Sequence, residues 1–159
     1  MKEQEKLLYT ACGLDNVYLL NGFHVVETRR GKSIRIDDIQ GLHRAIGGHL
    51  IRQKRSLIGK ELRFLRHQLG LSQPALANLL GESEQSVARR EKRKKAWKKP
   101  TPQDRMLRYM FEQRLSGNER LEEFLQSLAN LDEMKPNRVE FKKSKKTSQW
   151  ERADGALAA

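Results

Sequence analysis

Two residues four apart, Gln85 and Arg89, carry the side chains best suited to chemistry in this chain, and that chemistry is recognition rather than bond making. A carboxamide donates and accepts at once, matching the N6 and N7 edge of adenine; a guanidinium fork matches O6 and N7 of guanine. Four-residue spacing sets both on one helix face. Glu84 adds an acceptor for the cytosine amino group, or a charge that repels phosphates in a wrong register, and Ser86 adds a small hydroxyl. The run Arg90, Lys92, Arg93, Lys94, Lys95, Lys98, Lys99 follows. It carries no base preference but would neutralise phosphates and hold the register. The bland alternatives are an exposed polar helix face for Gln85 and Arg89, and a localisation signal or RNA-binding strip for the lysines. No nucleophile–base pattern, phosphate loop or paired acidic motif stands out, so enzyme activity is not expected.

The elements that must position these groups lie between Leu71 and Glu91. Ser72 can cap a helix whose first turn holds Pro74, where the missing N–H costs nothing. Leu76, Ala77 and Leu80 recur at helical spacing. Gly81 supplies the positive φ that ends the helix, Ser83 caps a second one, and Val87 anchors it. Helices over about 73–80 and 84–91, joined by a tight turn, make a helix-turn-helix.

This frame, L-S-Q-x-x-L-A-x-x-L-G-x-S-x-Q-S-V-x-x-x-E, resembles the Cro/phage-repressor (XRE) family of helix-turn-helix regulators across about 59–115. Gln73, Ala77, Gly81, Val87 and Glu91 carry the likeness. It implies a lambda-repressor-like fold, a DNA contact from Gln73, and an ion pair between Arg66 and Glu91. The family usually has an aromatic residue before Glu91 and a glycine two after it; here Arg90 and Arg93 stand there, and the following loop is slightly longer. The stretch from Leu14 to Gly22 is similar to the front of antitoxin-type regulators. That likeness implies an autoregulating antitoxin whose front domain or last helix meets a toxin or a second copy.

Composition agrees with a nucleic-acid partner. Over 159 residues the net charge is +12, with 37% hydrophobic and 33% charged residues, which suits one modest core, solvated extensions and a polyanion. A membrane surface is disfavoured, because the basic segments lack an interleaved aromatic-aliphatic face. The single cysteine, Cys12, excludes an internal disulfide. Related-looking antitoxins carry a CxxC pair before this region. Cys12 has no such partner, and His24, His43, His49 and His67 show no ligand spacing to it, so neither structural zinc nor another cofactor is expected. The polar start and the absence of a long apolar run predict an intracellular, cytoplasmic chain.

The order of elements completes the expectation. Residues 1–8 read as polar and frayed. Val17–Leu20, a turn at Asn21-Gly22, Phe23–Thr28, a second turn at Gly31-Lys32 and Ser33–Ile36 predict a three-stranded meander. Such a sheet is too small to stand alone and must pack on a helix. That helix spans about 38–54, capped by Asp37 or Asp38, with an Ile39, Leu42, Ile46 and Leu50 stripe. Gly47-Gly48 marks a kink or a close approach of the sheet, and His43 and His49 lie at the boundary. The next helix, 59–69, points Leu62, Leu65 and Leu69 inward and Arg63 and Arg66 elsewhere, and Gly70 ends it. Thr101-Pro102 opens another, with Leu107, Met110 and Phe111 or Leu115 inward. After Gly117, Asn118 caps a last helix with Leu121, Phe124 or Leu125, Leu128 and Leu131 on one side, ended by Pro136. Residues 137–159 read as a disordered basic tail.

Three parts are thus expected in a mainly α chain: a small β-containing front (1–56), a repressor-like domain (57–116), and a C-terminal helix with tail (117–159). The expected function is sequence-specific binding of double-stranded DNA by a homodimeric transcriptional repressor. A phage or mobile-element regulator is a rival of the same class. A protein-interaction or RNA-binding module with non-specific nucleic-acid affinity is a rival of another.

Overall fold

Local signals set the helix ends closely. The computed structural model describes residues 6–118, 120–131, 138 and 140–153. Six helices occur among them: α1 (Ile39–Gln53), α2 (Gly59–Gln68), α3 (Gln73–Leu80), α4 (Glu84–Glu91), α5 (Pro102–Leu115) and α6 (Leu121–Ala129). Asp38 accepts from Gly41 N at 3.0 Å, Ser72 from Ala75 N at 3.1 Å, Ser83 from Ser86 N at 3.2 Å and Thr101 from Asp104 N at 3.2 Å. Each cap satisfies a donor that the first turn leaves orphaned, worth about 1 kcal/mol. Gly81, at φ 65°, turns the chain from α3 into α4.

The architecture is mixed, because three short antiparallel ribbons accompany the helices: β1 (Leu7–Leu8) with β2 (Tyr18–Leu19), β3 (Phe23–Thr28) with β4 (Gly31–Ile36), and β5 (Phe141–Lys143) with β6 (Trp150–Arg152). The chain divides into a unit of Met1–Ala129 and one of Asn130–Ala159. Within the first, Leu14 of the front, Leu50 of α1, Leu62 and Leu65 of α2, Val87 of α4, Leu107 and Met110 of α5, and Leu121 and Leu125 of α6 share one core. Residues on both sides of 56/57 and of 116/117 contribute to this core.

Two polar devices hold this body. Buried Asp104 accepts from Leu57 N at 2.9 Å and pairs with Arg108. Arg108 also donates to the carbonyls of Leu50, Ile51 and Lys54 at 3.3, 3.0 and 2.7 Å, closing the orphaned C-terminal end of α1. Half-buried His43 meets the Tyr9 hydroxyl at 3.0 Å and the Gln68 amide at 3.2 Å, tying the front to α2. Burial lowers its pKa, against an opposing hydrogen bond from Gln68.

The front corrects three expectations. Among the described residues the front forms two separate two-stranded ribbons and not a three-stranded meander. Strand β2 turns back onto β1, with Leu7↔Leu19 and Leu8↔Tyr18, so Leu7–Leu8 is not frayed. Leu19 is buried in this arrangement, which outweighs the local Asn-Gly turn preference, as tertiary context often does for strands. Gly22 makes a corner at φ 74°, and its carbonyl accepts from Asp37 N at 2.9 Å. Next, the β3–β4 hairpin turns at Arg29-Arg30 rather than Gly31-Lys32, since Thr28 pairs with Gly31; the Thr28 hydroxyl braces it, donating to Gly31 O at 2.7 Å. Finally, this hairpin is exposed along nearly its whole length instead of lying on a helix.

Elsewhere the differences are smaller. The close approach at Gly47 comes from the Phe111 ring of α5, not from a sheet: a Cβ there would run into it. Arg66 is buried, at 5% exposure, rather than on an outer face. In α6, Leu121 and Leu125 face the core while Phe124 and, beyond the helix, Leu131 are exposed. Pro136 lies outside the described residues. Within the tail expected to be disordered, β5 and β6 form a hairpin, because Phe141 and Trp150 favour strands on either side of a turn-forming Ser-Lys-Lys-Thr segment.

Candidate nucleic-acid interface

Helix α4 has one locked face and one open face. Val87 is 1% exposed and fixes the inner side. Glu84, Gln85 and Arg89 are exposed on the outer side, and no hydrogen bond or ion pair engages Gln85 or Arg89 among the described residues. Ser86 is half-buried, its hydroxyl 3.0 Å from that of Ser83, so it serves the cap of its own helix.

A buried ionic knot fixes the end of α4. Arg66 Nε and Nη2 lie 2.5 and 3.0 Å from Glu91 Oε1 and Oε2, a bidentate pair whose side chains are 6% and 5% exposed. Arg66 Nη1 donates to Leu71 O at 2.8 Å, and Gln73 Nε2 donates to Glu91 Oε2 at 2.9 Å. Burial alone would raise the Glu91 pKa, but the hydrogen bonds from Arg66 and Gln73 overcome it and hold the carboxyl below its ordinary value. The knot joins the starts of α3 and α4's end to α2. It also means that one N–H of Gln73 is already committed.

Of the basic groups singled out in the sequence, two are engaged. Arg90 makes two hydrogen bonds of 2.6 Å to Glu82, and these raise its pKa. Arg93 lies over the Trp97 ring, 3.7 Å from its centroid, with Nε donating to Lys95 O at 2.8 Å. The Arg93 carbonyl accepts from Gly59 N at 2.8 Å, so the loop after α4 is pinned to the first turn of α2. Lys92, Lys94 and Lys95 are exposed. A cleft of about 920 Å³ opens beside Lys92 and Lys94, lined also by Lys60, Arg63 and His67 of α2. Burial, then the charges of Arg66 and Arg63, lower the His67 pKa.

The structure thus gathers Glu84, Gln85 and Arg89 on one face with Lys92, Lys94 and Lys95 following, and it spends Gln73, Ser86, Arg90 and Arg93 largely on internal bonds. Sequence reasoning missed Glu82, Trp97 and Gly59. Glu82 and Arg90 are eight apart across a turn, where no helical spacing rule applies. Trp97 meets Arg93 in a non-helical loop, where four-residue spacing implies no contact either. Among the described residues no group of three or more His, Cys, Asp or Glu gathers as a metal site, and no helix is long and apolar enough to cross a membrane.

Comparison with family models, curated proteins and solved structures produced no match for this chain.

Proposed function

We propose that this protein is a sequence-specific double-stranded DNA-binding regulator of the repressor type, in which α3 and α4 act as a helix-turn-helix and α4 enters the major groove. The observation that carries this reading is the contrast between the two faces of α4. Its inner face is fixed by Val87 and the Arg66–Glu91 pair, while Gln85 and Arg89 project free from the outer one. A fixed helix presenting an unengaged carboxamide near its N-terminus and an unengaged guanidinium one turn on is suited to base-edge reading. The lysines just beyond supply the sequence-independent attraction. The resemblance to antitoxin-type regulators extends the proposal to autoregulation, so the site is sought first upstream of the chain's own coding sequence.

A footprint on that upstream region, with scrambled duplex as competitor, tests the reading. Protection that survives competition, with affinity about three or more decades above scrambled DNA, supports it. Equal affinity for both duplexes would leave a merely polyanion-binding module.

A further inference from the structure

The C-terminal unit carries a surface that the duplex-reading proposal does not use. In the β5–β6 hairpin Phe141 pairs with Arg152 and Lys143 with Trp150. Directly opposed residues share a face, and successive residues alternate. Phe141, Lys143, Trp150 and Arg152 therefore stand together on one side of the ribbon. Phe141 is 64% exposed and Trp150 is 70% exposed, above every other large hydrophobic side chain described. Each ring has a cation directly across from it, and Lys145 and Lys146 in the exposed turn add two more.

We propose that this ribbon face binds single-stranded nucleic acid, with unpaired bases stacking on Trp150 and Phe141 and the backbone phosphates lying against Lys143, Arg152 and the turn lysines. Exposed rings interleaved with cations on a narrow strand surface are the combination by which proteins hold unpaired strands. The two residues are diagonal neighbours whose backbones stand about 7–8 Å apart, room for each ring to take its own base. A duplex keeps its bases stacked inside and offers these rings nothing. An anionic membrane would meet the same charges and could take the two rings, but residues 140–153 contain no Leu, Ile, Val or Met to add to them, and interfacial binding scales with buried apolar area. A lone two-stranded ribbon is marginal in water. Stacked bases would supply the missing layer over its aromatic face.

The experiment titrates the full chain with a fluorescent fifteen-nucleotide oligo(dT), in excess scrambled duplex, at several salt concentrations. Trp150→Ala and Phe141→Ala should each weaken oligo(dT) binding about tenfold, while Trp150→Phe and Phe141→Tyr stay within about threefold. Trp150→Ile keeps a strand-forming residue but removes the flat ring, so it should behave like Trp150→Ala. Lys143→Gln should make the salt slope shallower by about 0.7, which the aromatic variants should not. Wild-type affinity in Trp150→Ala and Phe141→Ala would overturn the proposal. So would saturable binding to phosphatidylserine vesicles that requires Trp150, without saturable oligo(dT) binding. Duplex reading by α4 is measured separately on the footprinted site, where Trp150→Ala should bind like wild type, so failure of either proposal is visible on its own.

Discussion

Glu91 is the residue on which most of the α4 geometry depends. It accepts from Arg66 and Gln73 while nearly buried. Arg66→Ala would leave that carboxylate buried without its main partner, and is expected to cost about 3–5 kcal/mol, read as a lower denaturant midpoint. The pH dependence has a definite sign. The folded pKa of Glu91 is depressed, so its contribution is fully present above the unfolded value of about 4.3 and is lost as pH falls through the folded value. Glu91→Gln should therefore be less stable than wild type at pH 7, and the two should converge as pH drops below about 4. A constant difference from pH 3 to 7 would show that Glu91 titrates alike in both states. The free groups of α4 predict a second contrast. Gln85→Ala and Arg89→Ala should each cost about 1–3 kcal/mol on the cognate site and relax preference at one base pair. Lys94→Ala should weaken binding to all duplexes alike and make the salt slope shallower by about one. Salt titrations of each variant on cognate and scrambled duplexes check this; identical behaviour of Gln85→Ala and Lys94→Ala would remove α4 from the role of recognition helix.

Among the elements, α2 is placed by a contact with no mark in its own sequence. Gly59 opens the helix with ordinary backbone angles, yet a Cβ there would stand 2.7 Å from Arg90 O and 2.6 Å from the Glu91 carbonyl carbon. The space is filled by the end of α4. Gly59→Ala should cost about 1–3 kcal/mol by overpacking, in thermal or denaturant unfolding. Because Gly59 N also holds the Arg93 carbonyl, the same change should weaken binding to cognate and scrambled duplexes together. Stability at or above wild type would mean that the α2–α4 contact is looser than the geometry implies. This case separates what the sequence could reveal from what it could not. Caps and stops act within a few residues, so Ser72, Gly81, Ser83, Thr101 and Gly117 announced the ends of α3, α4 and α5. The Arg66–Glu91 pair was foreseen through the family likeness, and the outward face of α4 through its spacing. The front was misread because Asn21-Gly22 is a strong local turn signal, whereas the partner of β2 is β1, twelve residues back at Leu7, a pairing no local signal announces. Likewise the engagement of Arg90 and Gln73 depends on Glu82 and Glu91, neighbours that only the folded chain brings together.

At the scale of the whole molecule, charge and copy number decide what duplex recognition can achieve. On the proposed reading, a net charge of +12 would draw the chain to any duplex, and that attraction would fade steeply with salt. On that reading, specificity would come from the few base pairs within reach of Glu84, Gln85 and Arg89 in one groove. With each well-read base pair worth roughly 1–3 kcal/mol, so small a set reaches the roughly 4–10 kcal/mol that separates specific from non-specific binding only if every contact is near its best. Two copies double the set without adding new residues. If the repressor-type reading holds, two α4 helices should enter successive major grooves about 34 Å apart, and the protected sequence should be nearly palindromic with half-sites 10–10.5 base pairs apart. Sedimentation of the complex should give two chains per duplex. Inserting five base pairs between half-sites turns one groove to the opposite side of the duplex, and should reduce affinity to that of a single half-site; inserting a full turn should restore part of it only where the two chains can still reach. A single protected half-site bound by one chain, indifferent to both insertions, would show that one α4 suffices and that the specificity lies in contacts outside Glu84, Gln85 and Arg89.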